Sequence, residues 1–192
     1  IALKQVSRSY ENPEGASRVL DRIELELKKG EFLYVIGGTG AGKSTLLRSI
    51  GISVVLAHAG APVRATRLML APLQVFASIA IPDSLLDGTS RFKAEVDRVR
   101  DAIAGAAQAP SLFLIDELFS GTNSLDRRVA AEAVVRTLIG HGAIGALSTH
   151  DLALTEIAQD STLHGSNVHM CSRSDDQVLD FDYRVKPGVN RQ

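Results

Sequence analysis

The stretch that decides the fold runs from residue 37 to residue 44 and reads Gly37-Gly38-Thr39-Gly40-Ala41-Gly42-Lys43-Ser44. It matches the pattern G-x-x-x-x-G-K-[ST], in which a glycine-rich turn joins a buried strand to a helix. Residues 32–36 are a continuous apolar run, which predicts a strand covered on both faces. Residues 43–59 carry apolar side chains at helical spacing. The sequence therefore predicts a strand, a phosphate-binding loop and a helix in direct succession.

The loop has the chemistry to bind the phosphates of a nucleotide. Successive backbone N–H groups and a helix N-terminus form a nest for an anion. Lys43 would reach the β- and γ-phosphates, and the Ser44 hydroxyl would bind Mg²⁺. The alternative, a glycine-rich turn that binds nothing, is disfavoured because a strand and a helix both flank the loop. The predicted nucleotide-binding residues of this stretch are Gly37, Gly38, Thr39, Gly40, Ala41, Gly42, Lys43, Ser44 and Thr45.

A pair of carboxylates follows the apolar run at residues 112–115. Asp116 and Glu117 come directly after it, and ligands bind at the carboxyl ends of strands in an open α/β sheet. We expect Asp116 to hold Mg²⁺ through water and Glu117 to orient the attacking water, since phosphoryl transfer is catalysed mainly by positioning. Alone, the pattern is equally that of a strand ending in a solvated turn; the loop at 37–44 favours the metal-binding interpretation.

A histidine follows the next predicted strand, in the sequence Leu147-Ser148-Thr149-His150-Asp151. His150 should lie at the same edge of the sheet, where it can hydrogen-bond the γ-phosphate. The alternative is a helix-capping turn, with Asp151 near the cap and the histidine incidental. The other motifs favour the functional interpretation.

Two weaker candidates lie elsewhere in the chain. Ser90 is a reasonable N-cap for a helix predicted from about residue 90 to residue 107. The exposed N–H groups at a helix start can bind an anion, but the local pattern alone indicates only the start of a helix. Tyr10 is predicted to lie in the turn-rich residues 9–17, after the first strand. A tyrosine in such a loop can stack on a base, although most are packing residues.

Composition excludes several classes of protein. The chain has 192 residues, 45% of them hydrophobic and 22% charged, which is typical of a folded domain and not of a disordered chain. One cysteine, Cys171, excludes a disulfide framework and a cysteine-built zinc site. The formal net charge of −1 gives no positive field for nucleic acid. No apolar run approaches the length of a membrane span, and we expect a cytoplasmic protein.

The order of the predicted elements indicates an α/β fold. Strands and helices alternate through the middle of the chain, which favours a parallel sheet flanked by helices. Ile23, Leu25 and Leu27 alternate with charged residues, which predicts a strand with one buried face and one solvent-exposed face. A closing antiparallel pair is predicted at 168–172 and 178–185. We therefore expect a P-loop NTPase fold with a mixed, mainly parallel sheet and an antiparallel, β-rich N-terminal edge.

From about Ser49 to Gly188 the chain resembles the ATPase domain of MutS-type proteins. The matching residues are Gly60-Ala61-Pro62-Val63, Asp83-Ser84-Leu85, Gly88-Thr89-Ser90-Arg91-Phe92, Asp116-Glu117 with Gly121-Thr122-Asn123, Ser148-Thr149-His150-Asp151-Leu152, and Phe181-Asp182-Tyr183 through Lys186-Pro187-Gly188. The resemblance implies that Ser90 is the signature serine, which contacts the γ-phosphate bound in the opposite subunit of a head-to-tail dimer. It also implies that Asn123 lies near that interface.

The first 50 residues resemble a different family, the ABC-type ATPases. The similar residues are Val6-Ser7-Arg8-Ser9-Tyr10, Val19-Leu20-Asp21, Leu27-Lys28-Lys29-Gly30-Glu31-Phe32 and Gly40-Ala41-Gly42-Lys43-Ser44-Thr45-Leu46-Leu47. By this resemblance Tyr10 stacks on adenine. Thr39-Gly40-Ala41 is ABC-like, whereas a MutS loop usually carries Asn-Met there. The LSGGQ signature and the helical subdomain of an ABC ATPase are missing.

These resemblances lead to the hypothesis of one P-loop ATPase domain over residues 1–192, made as an engineered chimera. Its ABC-like segment would cover residues 1–50 and its MutS-like segment residues 51–192; the start at Ile1 and the end at Gln192 favour an engineered origin. We expect ATP and Mg²⁺ as ligands, weak ATP hydrolysis and a weak nucleotide-dependent homodimer. We expect no membrane partner and no direct nucleic acid binding by this chain alone. The alternatives are a fragment of a natural MutS-like mismatch repair or recombination ATPase, an ABC transporter ATPase subunit, and a scaffold that binds no nucleotide.

Overall fold

A computed structural model describes residues 1–13, 15–79, 91–175 and 178–189, and it describes the backbone alone at residues 12, 91, 171–175 and 178–181. The elements in chain order are β1 (Ala2–Asn12), β2 (Gly15–Glu26), β3 (Glu31–Ile36), α1 (Lys43–His58), β4 (Arg67–Met69), β5 (Gln74–Ser78), α2 (Arg91–Ala106), β6 (Ser111–Asp116), α3 (Ser124–Gly140), β7 (Ile144–Thr149), a 3₁₀ helix (Leu152–Gln159), β8 (His164–Asp175) and β9 (Val178–Pro187). Among the described residues, no helix is both long and apolar enough to cross a membrane.

The main sheet has six strands in the order β5-β6-β7-β3-β8-β9. The first five are parallel, and β9 runs antiparallel to β8. Because parallel strands end at the same edge, the glycine loop after β3 and the polar residues after β6 and β7 face the same side of the domain. The predicted strand–loop–helix unit and the mainly parallel sheet are confirmed.

Two hydrophobic cores cover the faces of this sheet. Phe32, Tyr34 and Ile36 point into a core shared with α2, α3 and the 3₁₀ helix. Leu33 and Val35 point into the opposite core, shared with α1 and the N-terminal strands. The near-continuous apolar sequence of β3 follows from this burial on both faces. A rigid, close-packed sheet of this kind fixes the loops at its carboxyl edge.

The N-terminal strands are not an edge of the main sheet, so that prediction was wrong. They form a separate antiparallel sheet in the order β2-β1-β4. Neither edge of β3 is free to pair with them, because β7 and β8 occupy both. The apolar face of the small sheet packs against the face of the main sheet that α1 covers. Arg184 of β9 donates a hydrogen bond to the carboxylate of Asp21 in β2 at 3.0 Å.

Tyr10 lies in a strand, so its predicted position in a turn was also wrong. Strand β1 continues to Asn12 and β2 begins at Gly15, so Tyr10 pairs with Ser17 in a hairpin. The turn-forming residues are confined to the tip, where Gly15 has a φ of 121°. The tyrosine ring is 40% exposed and lies under the guanidinium of Arg8, 5.2 Å from its centroid.

Gly145→Ala is expected to lower the free energy of unfolding by about 1–3 kcal/mol, the usual cost of overpacking a core. Gly145 of β7 faces Phe113 of β6 in register, and a Cβ at residue 145 would lie 2.4 Å from the Phe113 ring. The Phe113 side chain is fully buried, so the ring cannot yield towards solvent. Urea unfolding followed by circular dichroism measures the change.

Gly140→Ala is the matched control. A Cβ at residue 140, the last of α3, would meet nothing within 4 Å, so we expect stability to stay equal or rise by up to about 1 kcal/mol. Equal losses in the two variants would contradict the packing described for β6 and β7.

Candidate functional site

The glycine loop is shaped by residues that tolerate no side chain. Gly42 has a φ of 97° and Gly40 a φ of 85°, a region that favours glycine. A Cβ on Gly37 would lie 2.8 Å from the carbonyl oxygen of Met170, and one on Gly42 would lie 2.9 Å from that of Val19. The loop is therefore held between β8 and β2, while Gly38, Thr39 and Gly40 are exposed.

Lys43 points back into this loop from the first residue of α1. Its Nζ donates to the carbonyl oxygens of Gly37 at 2.8 Å and Gly38 at 3.1 Å, and the residue is only 6% exposed. Burial lowers the pKa of Lys43, and the negative charges of Glu117 and Asp116 partly oppose that shift. An ammonium group has three donors, so the two carbonyl bonds leave one N–H for an anion in the loop.

Asp116 ends β6 at the same edge of the sheet. Ser148 of β7, which pairs with it in register, donates a hydrogen bond from its hydroxyl to Asp116 Oδ1. This bond orients the carboxylate and leaves Oδ2 as an acceptor. Among the residues that the structure describes, no group of three or more His, Cys, Asp or Glu could hold a metal ion alone. A Mg²⁺ ion here would thus take Ser44, Asp116, water and phosphate oxygens, the ligands it prefers.

Glu117 and His150 are brought together from the ends of β6 and β7. Glu117 Oε1 lies 2.9 Å from His150 Nδ1, and both side chains are partly exposed. The backbone N–H of Glu117 also donates to the carbonyl oxygen of Ser148 at 3.2 Å. The carboxylate can accept a proton from water, and the imidazole fixes one of its oxygens.

The segment after Asp116 has an unusual backbone. Glu117 has a φ of 54° and Phe119 a φ of 53°, the left-handed region that non-glycine residues rarely adopt. Such residues cost of order 1–3 kcal/mol each and persist where the surroundings hold them. Here the surroundings include the burial of Phe119 and the hydrogen bond from Thr122 N–H to its carbonyl oxygen at 3.1 Å.

Asn123 caps α3 at the end of that segment. Its side-chain oxygen accepts from the N–H of Asp126 at 2.9 Å, as N-cap asparagines do. In the next turn of the helix, Arg127 reaches the loop after β7, where its guanidinium lies 3.5 Å from Asp151. Sequence reasoning missed Arg127, since nothing in the pattern distinguishes it from Arg128 beside it.

The other predicted residues differ in where they lie. Ser44 and Thr45 lie in the first turn of α1 and are half-buried, directly after the glycine loop. Ser90, and with it the stretch that suggested a signature serine, lies outside the described residues. Tyr10 lies in the small sheet, and Val19 of that sheet borders the glycine loop. The adenine-stacking role of Tyr10 stays a prediction.

The strand β3, the glycine loop, α1 and the carboxylates at neighbouring strand ends define the P-loop class of α/β domains. The chain belongs to the MutS domain V family, because the sequence profile of that family matches residues 33–192. MutS domain V is a P-loop ATPase domain.

Individual relatives agree with this assignment. The DNA mismatch repair protein MutS of Geobacillus sp. (strain WCH70) is 35% identical over 164 residues, which is 84% of this chain and 19% of the relative. The protein of the same name from Bacillus cytotoxicus is 33% identical over 163 residues, 83% of this chain and 18% of its own length. That from Methanosarcina mazei is 32% identical over 170 residues, 86% of this chain and 19% of its own. The chain thus spans about a fifth of the length of these relatives.

The comparisons support a MutS assignment that begins before residue 50. The family profile begins at residue 33, so it includes β3, the glycine loop and the region where two segments were expected to join. They give no evidence of an ABC-type N-terminal segment or of a chimera. The ABC-like appearance of residues 1–50 rests on the P-loop, a motif that many families share, and on short matches around it.

Proposed function

We propose that this chain is the ATPase domain of a MutS-type DNA mismatch repair protein, which binds Mg-ATP and hydrolyses it to ADP and phosphate. The observation that carries the proposal is the position of Lys43. This residue is buried, its ammonium group lies in a glycine loop, and the negative charges of Asp116 and Glu117 act on its pKa. Family membership makes a natural MutS-type ATPase a better account than a chimera. A role in mismatch repair is carried over from the relatives' names and belongs to the proposal.

Each residue has a distinct task in the proposed reaction. The loop amides and Lys43 bind the β- and γ-phosphates. Ser44 and, through water, Asp116 would hold Mg²⁺, which would neutralise charge on the phosphate oxygens. Glu117 orients a water molecule and takes its proton as the oxygen bonds to the γ-phosphorus. The bond from that phosphorus to the β,γ-bridging oxygen breaks, and ADP leaves. His150 orients Glu117 or donates to the γ-phosphate.

The proposed partner is a second copy of the chain. Ser90 would contact the γ-phosphate bound in that copy, as the family resemblance implies, and Asn123 would lie near the interface. Half of each site would then come from the partner, so we expect weak hydrolysis by a single copy. Binding to DNA is expected from other regions of a MutS-type protein, since this chain carries a formal net charge of −1.

Thermal unfolding with and without Mg-ATP tests the proposal. A ligand present at 100 times its Kd stabilises the folded state by about 2.7 kcal/mol, which corresponds to a rise of roughly 5–11 °C in the midpoint for a chain of this size. Mg²⁺ alone and ATP with excess EDTA are the controls. A cooperative transition whose midpoint ignores Mg-ATP would contradict the proposal.

Sedimentation of the same samples tests the partner. We expect the monomer in the absence of nucleotide and a larger species with Mg-ATP. A monomer at all nucleotide concentrations, despite a thermal shift, would contradict the role of a second copy while leaving ATP binding intact.

A further inference from the structure

Arg127 connects the two loops that carry Glu117 and His150. Its Nη2 donates to the carbonyl oxygen of Thr122 at 2.9 Å, within the segment that follows β6. Its Nη1 lies 3.5 Å from Asp151 Oδ2, in the loop that follows β7. The side chain is only 16% exposed. A guanidinium can make both contacts at once because its donors are arranged in a rigid fork.

Asp151 fixes the loop around His150. Its Oδ1 accepts from the N–H of Ala153 at 3.0 Å and so caps the 3₁₀ helix. Its own N–H donates to Thr149 Oγ1 at 2.9 Å. His150 lies between Thr149 and Asp151, which are linked by that hydrogen bond. One hydrogen bond joins its exposed ring to Glu117. A shift of Asp151 would therefore carry the imidazole with it.

The Thr122 contact acts on the other partner. Residues 117–122 include the left-handed Glu117 and Phe119, and the turn between Phe119 and Thr122 closes the segment. A charged donor on the Thr122 carbonyl stabilises that turn, since hydrogen bonds to charged groups are stronger than neutral ones. Arg127 thus touches each of the two loops at a residue that determines the position of a predicted site residue.

We propose that Arg127 is a positioning residue that holds Glu117 and His150 in their hydrogen-bonded arrangement. The expected effect on turnover rests on the proposed ATPase function. The effect of Arg127 on the arrangement of Glu117 and His150 can be tested without nucleotide. Arg127 does not touch a phosphate in this account. It acts through Thr122 and Asp151, and its removal should lower turnover while nucleotide affinity, set by the glycine loop, is kept.

The first test follows the imidazole of His150 in long-range ¹H–¹⁵N spectra of the full chain at one fixed pH without nucleotide. The His150 signals are assigned by their loss in His150→Gln, and Glu117→Ala gives the signals of the ring without its partner. In Arg127→Met we expect the His150 signals to move towards those in Glu117→Ala. Wild-type His150 signals in a folded Arg127→Met variant would overturn the proposal.

Arg128→Met is the matched control. Arg128 is the neighbour of Arg127 on α3, but it pairs with the exposed Glu156 on the outside of the domain. Its loss should leave the His150 signals unchanged. Movement of those signals to the same extent in both variants would assign the effect to general loosening of α3 and overturn the positioning role.

Two further variants keep the proposal testable if Arg127→Met does not fold. Arg127→Lys keeps the charge, but its single amine cannot replace the fork, so His150 should move part of the way. Asp151→Asn removes the ion-pair partner and should give a shift of the same direction. Unmoved His150 signals in both variants would overturn the proposal.

Turnover and affinity separate this proposal from the proposed function. We expect Arg127→Met to lower the single-turnover rate of Mg-ATP hydrolysis roughly 10- to 100-fold, as misplaced catalytic groups do, with the Kd for ATP changed less than about threefold. Equal losses of rate and affinity would contradict positioning. If the wild-type chain bound no ATP, the proposed function would fail, and the His150 spectra would still decide whether Arg127 positions the pair.

Discussion

Replacing Lys43 with alanine is expected to weaken Mg-ATP binding at least about 100-fold, close to 3 kcal/mol of binding free energy. Lys43 is buried, and the hydrogen bonds from its ammonium group to the carbonyl oxygens of Gly37 and Gly38 hold that group in the glycine loop. Alanine removes this ammonium group from the loop, so phosphate would lose a charged donor and rely on the backbone amides. Titration with a fluorescent ATP analogue measures the change.

Lys29→Ala is the control for that experiment. Lys29 is exposed and precedes β3, at the opposite edge of the sheet from the glycine loop. We expect it to bind the analogue as the wild type does. Unchanged affinity in a folded Lys43→Ala variant would remove the assignment of residues 37–44 as a nucleotide site.

Glu117→Gln is expected to lower the rate of ATP hydrolysis at least about 100-fold, since a positioned general base contributes 10²- to 10⁴-fold. The amide has the size of the carboxylate and can still meet His150, but it cannot accept the proton of the attacking water. ATP binding should persist, so the variant would hold unhydrolysed ATP. Single-turnover assays with labelled ATP, beside equilibrium binding, measure both quantities.

Glu156→Gln is the matched control, because Glu156 is exposed and pairs with Arg128 away from the site. It should hydrolyse ATP at the wild-type rate. A Glu117→Gln variant that hydrolysed ATP as fast as this control would show that another group activates the water.

Local patterns predicted the centre of the fold well. The run at 32–36, the glycine loop and the helix after it are continuous in sequence, so periodicity and turn chemistry determine them together. Asp116 and Glu117 could be placed for the same reason, since a buried strand that ends in carboxylates leaves them at the sheet edge. The contact between Glu117 and His150 also follows from two strands that are neighbours in the sheet.

Pairing between distant strands could not be predicted in this way. The short strand β4 pairs with β1 and β5 pairs with β6, although β4 and β5 are neighbours in sequence. Packing across the whole domain decides which sheet edge a strand joins. The alternation of apolar and polar residues along the strand does not indicate that choice. The separate N-terminal sheet was missed for that reason. The position of Tyr10 was missed because β1 continues through residues that favour turns as far as Asn12.

The hypothesis of an ABC-type N-terminal segment gave a short motif more weight than a long similarity. Thr39-Gly40-Ala41 suggested an ABC-type loop, but three residues in a shared motif discriminate poorly between families that use the same loop. The match over residues 33–192 integrates many positions and includes that loop. Arg127 was missed on different grounds, since its role depends on Thr122 and Asp151, and no spacing rule connects the three.

The most direct test of the central claim is a crystal structure of the chain with Mg²⁺ and a non-hydrolysable ATP analogue. The account predicts the β- and γ-phosphates within residues 37–44, with Lys43 Nζ moved from the carbonyl oxygens of Gly37 and Gly38 to a phosphate oxygen. It also predicts Mg²⁺ between Ser44 and the water shell of Asp116. An analogue bound elsewhere, with Lys43 still on the two carbonyls, would contradict it.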